Sequence, residues 1–208
     1  MIVGPPRMEK TKKSETPGAR GGPSPEALVA AARAGAPARR GPAPVHLWDP
    51  PHCGDLDMRI AADGTWFYQG TPIGRPAMVR LFSTILRRDP EGFVLVTPVE
   101  KVGITVDDAP FVAVDVAEGE GGLTFLTNVG DEVTADPAHP IRVERDPRTG
   151  EPRPYVLVRG GLEALIDRKT FYRLADLGAV EPHEGADWFG VRSGGAFFPL
   201  LPAAEMPD

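Results

Sequence analysis

A short arginine-containing pattern occurs twice in the sequence, at positions suited to binding an anion. Residues 73–81 (IGRPAMVRL) and 166–174 (IDRKTFYRL) share Ile-x-Arg, an apolar residue and a closing Arg-Leu pair. Both segments are predicted to begin helices, where unpaired N–H groups already carry partial positive charge. An arginine is unfavourable there without a nearby anion. Arg75 and Arg168 are therefore predicted either to form internal ion pairs or to bind an anionic ligand.

Two further charged residues follow the first of these segments. In a strand predicted over residues 98–106, Glu100 shares its face with apolar residues, unless the strand starts later. A buried carboxylate needs a partner, and Arg75 is the natural one, with Glu163 available as a second carboxylate. Lys101, on the opposite face, is expected to be free to meet a ligand. The candidate ligand-binding residues are Arg75, Glu100, Lys101 and Arg168.

Other chemical motifs are weak. His52 and Cys53 are adjacent, but no further histidine or cysteine has metal-ligand spacing, and Cys53 is expected to be a buried, inert thiol. The glycines of residues 118–122 lead into a strand, which predicts a hairpin turn instead of a phosphate loop. The sequence contains neither a Walker lysine motif nor a Gly-x-Ser-x-Gly elbow. It therefore carries no familiar enzyme signature, and no cofactor or metal is expected.

Most elements that would position these residues are strands. Alternation and β-branched content predict strands at residues 56–60, 65–69, 93–97, 99–106, 111–116, 123–127, 132–135, 141–144 and 155–159. A helix is predicted to begin at Pro76, with its apolar face continuing to Leu86 and its end at Asp89-Pro90. The expected fold class is α+β, rich in strands with few helices.

The paired arginine pattern predicts an internal duplication. Each copy follows a strand and a glycine and precedes an aromatic strand, so we expect two strand-helix-strand modules, residues 45–107 and 108–208. Equivalent helices in two packed copies would bring Arg75 and Arg168 together. The alternative is one undivided sheet with two covering helices.

Charge and composition restrict the partners. The net charge is −6, but residues 1–45 carry about +5, which leaves about −11 on the remainder. Residues 1–44 are predicted to be a disordered basic tail with a short helix near 25–34. The acidic body disfavours nucleic acid, and no apolar run is long enough to cross a bilayer. A cytoplasmic protein is expected; the prolines and glutamates of the tail argue against the alternative of a mitochondrial transit peptide.

The sequence also resembles a known family. The resemblance rests on these strings: Cys53–Ile60 (CGDLDMRI), Asp63–Trp66 (DGTW), Pro72–Arg75 (PIGR), Leu81-Phe82, Thr97–Lys101 (TPVEK), Asp108–Phe111 (DAPF) and Leu162–Arg168 (LEALIDR). Together they are similar to the proteobacterial domain-of-unknown-function family twelve-eighty-five, over about residues 24–200. The resemblance implies two duplicated domains, the second a partly open antiparallel barrel loosely like a pleckstrin-homology domain. It also implies a role in signalling, with a small nucleotide-like ligand between the domains.

The leading hypothesis is a non-enzymatic ligand-binding or regulatory protein. Its small anionic, nucleotide-like ligand would lie at the interface of the two repeats. One alternative is an enzyme that uses Asp55, Asp57 or Glu100 as catalytic carboxylates. Another is a scaffold that binds protein through an exposed sheet edge.

Overall fold

Strands dominate the computed structural model, which describes residues 25–35 and 41–206. The first sheet contains β1 (His52–Ile60), β2 (Trp66–Tyr68), β3 (Thr71–Pro72), β4 (Leu86–Asp89), β5 (Gly92–Val96) and β6 (Lys101–Val106). The second contains β7 (Phe111–Gly119), β8 (Gly122–Thr127), β9 (Glu132–Thr134), β10 (Ile141–Arg145), β11 (Pro152–Arg159) and β12 (Leu162–Ile166). A third contains β13 (Ala179–His183), β14 (Ala186–Ser193) and β15 (Ala196–Pro202). The helices are α1 (Pro25–Gly35), α2 (Pro76–Thr84) and α3 (Arg168–Ala175), with short 3-10 turns at Val45–Leu47 and Ala203–Glu205.

The first two sheets have the same topology. Their strand orders are β3-β2-β1-β6-β5-β4 and β9-β8-β7-β12-β11-β10. In each, the first and sixth strands lie side by side and parallel at the centre. The corresponding strands β1 and β7 begin 59 residues apart, at 52 and 111. The molecule therefore contains two similar domains, each built on a curled sheet, with a half-barrel in one of them.

The two helices occupy different places in this topology. α2 connects the third and fourth strands of the first domain, whereas α3 follows the sixth strand of the second. Residues 73–81 and 166–174 are therefore not equivalent, and the repeated unit is a six-stranded sheet instead of a strand-helix-strand module. Amphipathic helix starts share spacing whatever their position in a fold, which is why the pattern matched. The alternative of one undivided sheet is also wrong, because the strands form separate sheets.

Helix α2 ends earlier than its apolar periodicity predicts. It stops at Thr84, and residues 86–89 form β4, which pairs antiparallel with β5 from Leu86↔Leu95 to Asp89↔Gly92. The turn between them contains Pro90, and Gly92 follows as the first residue of β5 with a positive φ, so the backbone can reverse there. A nonlocal strand pairing thus overrides a local helical pattern.

The core is shared between the domains and α1. Phe82 of α2 is fully buried and its ring is stacked 6.2 Å from that of Trp66, which is 1% exposed. Leu28 and Ala32 of α1 belong to the same cluster of buried residues. The helix near residues 25–34 is therefore part of the packed body, while residues 1–24 and 36–40 of the predicted tail lie outside the described residues. In residues 25–35 and 41–206, no helix is both long enough and apolar enough to span a bilayer.

Candidate functional site

A cavity of about 640 Å³ lies between the two domains. The first domain contributes the turn at residues 64–66, residues 73–74 and the first half of α2. The second domain contributes residues 126–130, which include the end of β8 and the turn that precedes β9. The duplicated sheets thus position two turns and a helix start around one space.

Glycine makes the close approach of the domains possible on one side of the cavity. The Asn128 side chain donates from Nδ2 to the Gly64 carbonyl (3.3 Å) and accepts at Oδ1 from the Val112 N–H (3.1 Å). Gly64 has φ +82°, and a Cβ built there would collide with the Asn128 amide. Both the backbone conformation and the contact therefore require glycine at position 64.

Arg80 forms the corresponding contact on the other side. Its Nη2 donates to the Gly130 carbonyl (3.2 Å), and its guanidinium lies against the Gly130 Cα, where a Cβ would collide with it. Gly130 also has φ +82°. This single hydrogen bond leaves most of the five guanidinium N–H groups of Arg80 available for other acceptors.

A second arginine ties the domains together near α2. Arg159 of β11 donates to the Ser83 carbonyl in α2 (2.8 Å) and pairs with the Asp131 carboxylate. Its guanidinium lies 4.9 Å from the centroid of the Phe111 ring. Arg159 thereby holds the end of α2 against the second domain.

The cavity is electropositive although the protein as a whole is acidic. Among the described residues, Arg80 is the only charged side chain that lines it, and no carboxylate does. α2 begins beside it with Arg75 as N-cap and Pro76 at the first helical position, and no side chain caps the helix. An uncapped helix start presents partial positive charge. A negatively charged group would be stabilised in this cavity.

Trp66 forms part of the wall of the same space. Its ring lines the cavity and is 1% exposed, and its indole N–H has no hydrogen-bond partner among the residues that the structure describes. Leaving a buried donor unpaired costs about 1 to 3 kcal/mol. The indole nitrogen has almost no accessible surface, so only the ring of Trp66, and not its N–H, is assigned to the cavity wall.

The structure places Arg75 and Arg168 at different cavities. Arg75 is exposed and lies between two residues that line the interdomain cavity. Arg168 lines a separate cavity of about 320 Å³ in the second domain. Its Nε donates to Tyr172 Oη (3.0 Å), a hydrogen bond that raises the pKa of Arg168. The expected convergence of the two arginines does not occur, because their helices are not equivalent in the fold.

Lys101 is not free, contrary to expectation. Its Nζ donates to Asp89 Oδ2 (2.9 Å), and Asp89 also accepts from Arg87 Nε (2.6 Å). The hydrogen bond from Arg87, aided by the one from Lys101, lowers the pKa of Asp89 to about 2. Lys101 lines a cavity of about 560 Å³ together with three carboxylates, those of Asp55, Asp89 and Glu91, which would repel an anion. Pairing of β4 with β5 creates this arrangement, which a helical interpretation of residues 86–89 could not show.

Glu100 does not pair with Arg75. β6 begins at Lys101, so Glu100 lies in the preceding turn, where its N–H donates to Thr97 Oγ1 (3.2 Å). No ion pair of Arg75 or Glu100 occurs within residues 25–35 and 41–206. Glu163 pairs with Arg142 instead of an arginine at a helix start. The expected buried thiol is also wrong, since Cys53 is exposed.

Sequence reasoning missed Arg80, Trp66 and Asn128 as site residues. The sequence did contain a signal for Arg80, because it is the second arginine of the nine-residue pattern. Its counterpart Arg173 pairs with Asp115 in the second domain. Nothing in the local sequence indicates that Asn128 meets Gly64 across 64 positions of chain.

Gly64→Ala is expected to lower the free energy of unfolding by about 1 to 3 kcal/mol, because it combines an unfavourable φ with a collision against Asn128. Gly70→Ala is the matched control, since Gly70 has φ +72° and open space around its Cβ position. Comparison of the two variants by urea unfolding separates the cost of the collision with Asn128 from the cost of the unfavourable backbone conformation, which both variants share. Equal losses in the two variants would show that the Asn128 contact does not hold the domains together.

Fold and cavity together define a protein of two tandem, similar domains with a cationic cavity between them. Residues 43–109 match the N-terminal domain of a domain of unknown function, DUF1285, and residues 110–200 match the C-terminal domain of the same family. The chain belongs to the DUF1285 family, as its sequence motifs indicated.

A solved structure of high sequence identity agrees with this assignment. A DUF1285 family protein from Silicibacter pomeroyi DSS-3 is 64% identical, with a TM-score of 0.76 over 86% of this chain and 96% of that one. A DUF1285 family protein from Shewanella baltica OS155 is 26% identical, with a TM-score of 0.49 over 58% of this chain and 91% of that one. No curated protein matches the chain.

Proposed function

We propose that this protein is a ligand-binding or regulatory protein that holds a small anion in the interdomain cavity without transforming it. The observation that carries the proposal is the position of Arg80. It lines a cavity that no carboxylate lines in the described part of the chain, beside the uncapped start of α2. The nucleotide-like ligand implied by the family resemblance belongs to this class of small anions.

Cavity size and lining support binding. A volume of about 640 Å³ is within the range that small-molecule ligands occupy. The lining side chains of the described residues include no histidine, cysteine, lysine or carboxylate that could act as a general base there. The carboxylate of Asp55, a candidate under the enzyme hypothesis, lies at another cavity and its side chain is 87% exposed.

A regulatory role is supported by where the ligand would sit. Arg80 belongs to the first domain and residues 126–130 belong to the second, so a ligand between them would contact both. Its binding energy would then favour one arrangement of the domains. Signalling, a cytoplasmic location and the likeness of the second domain to a pleckstrin-homology barrel remain hypotheses within this proposal.

Arg80→Gln is expected to abolish stabilisation by small anions. At one hundred times its Kd, a ligand adds about 2.7 kcal/mol, which corresponds to a rise in Tm of roughly 5 to 10 °C for a chain of this size. The measurement is a thermal-shift screen with AMP, cyclic AMP, pyrophosphate and aromatic carboxylates. Arg75→Gln should weaken the shift less, because Arg75 flanks the cavity without lining it.

Arg168→Gln is the control, because Arg168 is an exposed arginine at a helix start, as Arg75 is, but lines a different cavity. It should keep the full shift. A shift that survives in Arg80→Gln but disappears in Arg168→Gln would move the site to the second domain. The absence of any shift across the panel would contradict the proposed function.

A further inference from the structure

We infer that the preferred ligand is an organic acid with one carboxylate and a flat apolar body, and that it binds more tightly than a nucleotide. The inference rests on the proposed function and narrows its ligand class. It comes from the juxtaposition of one incompletely used guanidinium and an apolar wall in the same interdomain cavity.

The headgroup is indicated by the unused donors. The Arg80 guanidinium donates one hydrogen bond, to the Gly130 carbonyl, and its remaining N–H groups are available to a ligand. A carboxylate only accepts hydrogen bonds and matches the planar fork of a guanidinium. A phosphate group carries up to two negative charges, whereas the described lining contains one cation. One carboxylate is therefore the better electrostatic match.

The polar side chains that could recognise a nucleobase are already partly engaged. The amide of Asn128 uses its Nδ2 on the Gly64 carbonyl and its Oδ1 on the Val112 N–H. The hydroxyl of Thr127 accepts from the Asp131 N–H (2.9 Å). Thr65 adds one hydroxyl that could donate or accept. Base recognition needs several placed donors and acceptors, and this set offers few.

The apolar side chains in the rest of the cavity wall indicate that the body of the ligand is apolar. Ile73 and Val79 are half-buried on the side of the first domain, and Val129 is buried on the side of the second. Leu126, also part of the lining, is 38% exposed. A flat apolar group would cover these side chains and remove apolar surface from water.

Calorimetric titration of the full chain with matched probes tests the inference. The probes are 1-naphthoate, its neutral amide 1-naphthamide, AMP and inorganic phosphate. We expect 1-naphthoate to bind at least tenfold more tightly than the other three. Arg80→Gln should weaken the binding of 1-naphthoate at least tenfold, and Arg168→Gln should leave it unchanged.

The outcomes separate this inference from the proposed function. If AMP binds more tightly than 1-naphthoate and loses affinity in Arg80→Gln, the ligand class is wrong while the anion site stands. If 1-naphthamide equals 1-naphthoate, the cavity binds apolar surface without recognising the carboxylate. If none of the probes binds, or if Arg80→Gln leaves their affinities unchanged, both the inference and the proposed function are overturned.

Discussion

Trp66→Ala is expected to lower the free energy of unfolding by about 3 to 5 kcal/mol, the cost of removing a large buried aromatic side chain from a packed core. Trp66 is 1% exposed and stacks on Phe82 of α2, so the substitution leaves a cavity beneath the interdomain site. Chemical denaturation monitored by far-ultraviolet circular dichroism measures the loss.

Trp66→Phe provides the control for this prediction. It keeps an aromatic ring against Phe82 and removes the indole N–H that has no partner among the described residues. Its loss of stability should be less than half that of Trp66→Ala, because a smaller cavity is partly offset by removal of an unpaired buried donor. Equal losses would mean that the indole N–H is satisfied in solution.

Asp89→Asn is expected to cost about 3 kcal/mol, because it removes the carboxylate that two cations share. The Asp89 side chain is 11% exposed, and those of its partners Arg87 and Lys101 are each 18% exposed. Solvent screening of this cluster is therefore limited. Asp55→Asn is the matched control, because Asp55 lines the same cavity with an 87% exposed side chain and should change stability little.

The same carboxylate sets a pH dependence. The pKa of Asp89 is lowered to about 2 in the folded protein, below its ordinary value of 3.8. Its stabilisation of about 2 kcal/mol is therefore fully present above pH 4 and is lost as the pH falls through 2. Between pH 5 and pH 2, the wild type should lose more stability than Asp89→Asn. Parallel pH profiles would contradict the assignment.

Local patterns in the sequence predicted local structure well. The alternation of Leu56, Met58 and Ile60 correctly indicated β1, and the glycines of residues 118–122 correctly indicated the turn between β7 and β8. The motif string predicted the family and its two domains, and both are confirmed. These features depend on neighbouring residues or on a long match, so a single sequence contains them.

Contacts between residues far apart in the chain could not be predicted from the sequence. Residues 86–89 have helical spacing, yet they form β4 because β5 offers a partner. Likewise, Lys101 was predicted to have no ion-pair partner, because nothing in the neighbouring sequence shows that Asp89 will lie 2.9 Å from its Nζ. The position of Arg80 in the site depends on its hydrogen bond to Gly130, which lies in a turn of the second domain 50 positions later in the chain.

Nuclear magnetic resonance of the tryptophan indole groups tests the central claim most directly. The chain has three tryptophans, of which Trp66 lines the interdomain cavity and Trp188 lines another cavity, of about 620 Å³. Trp66→Phe assigns the Trp66 signal. Saturation with the tighter binder of 1-naphthoate and AMP is expected to shift the Trp66 indole N–H signal in the wild type but not in Arg80→Gln, and to leave Trp188 unchanged. A shift of Trp188 with Trp66 unmoved, or a Trp66 shift that persists in Arg80→Gln, would contradict an anion site between the two domains.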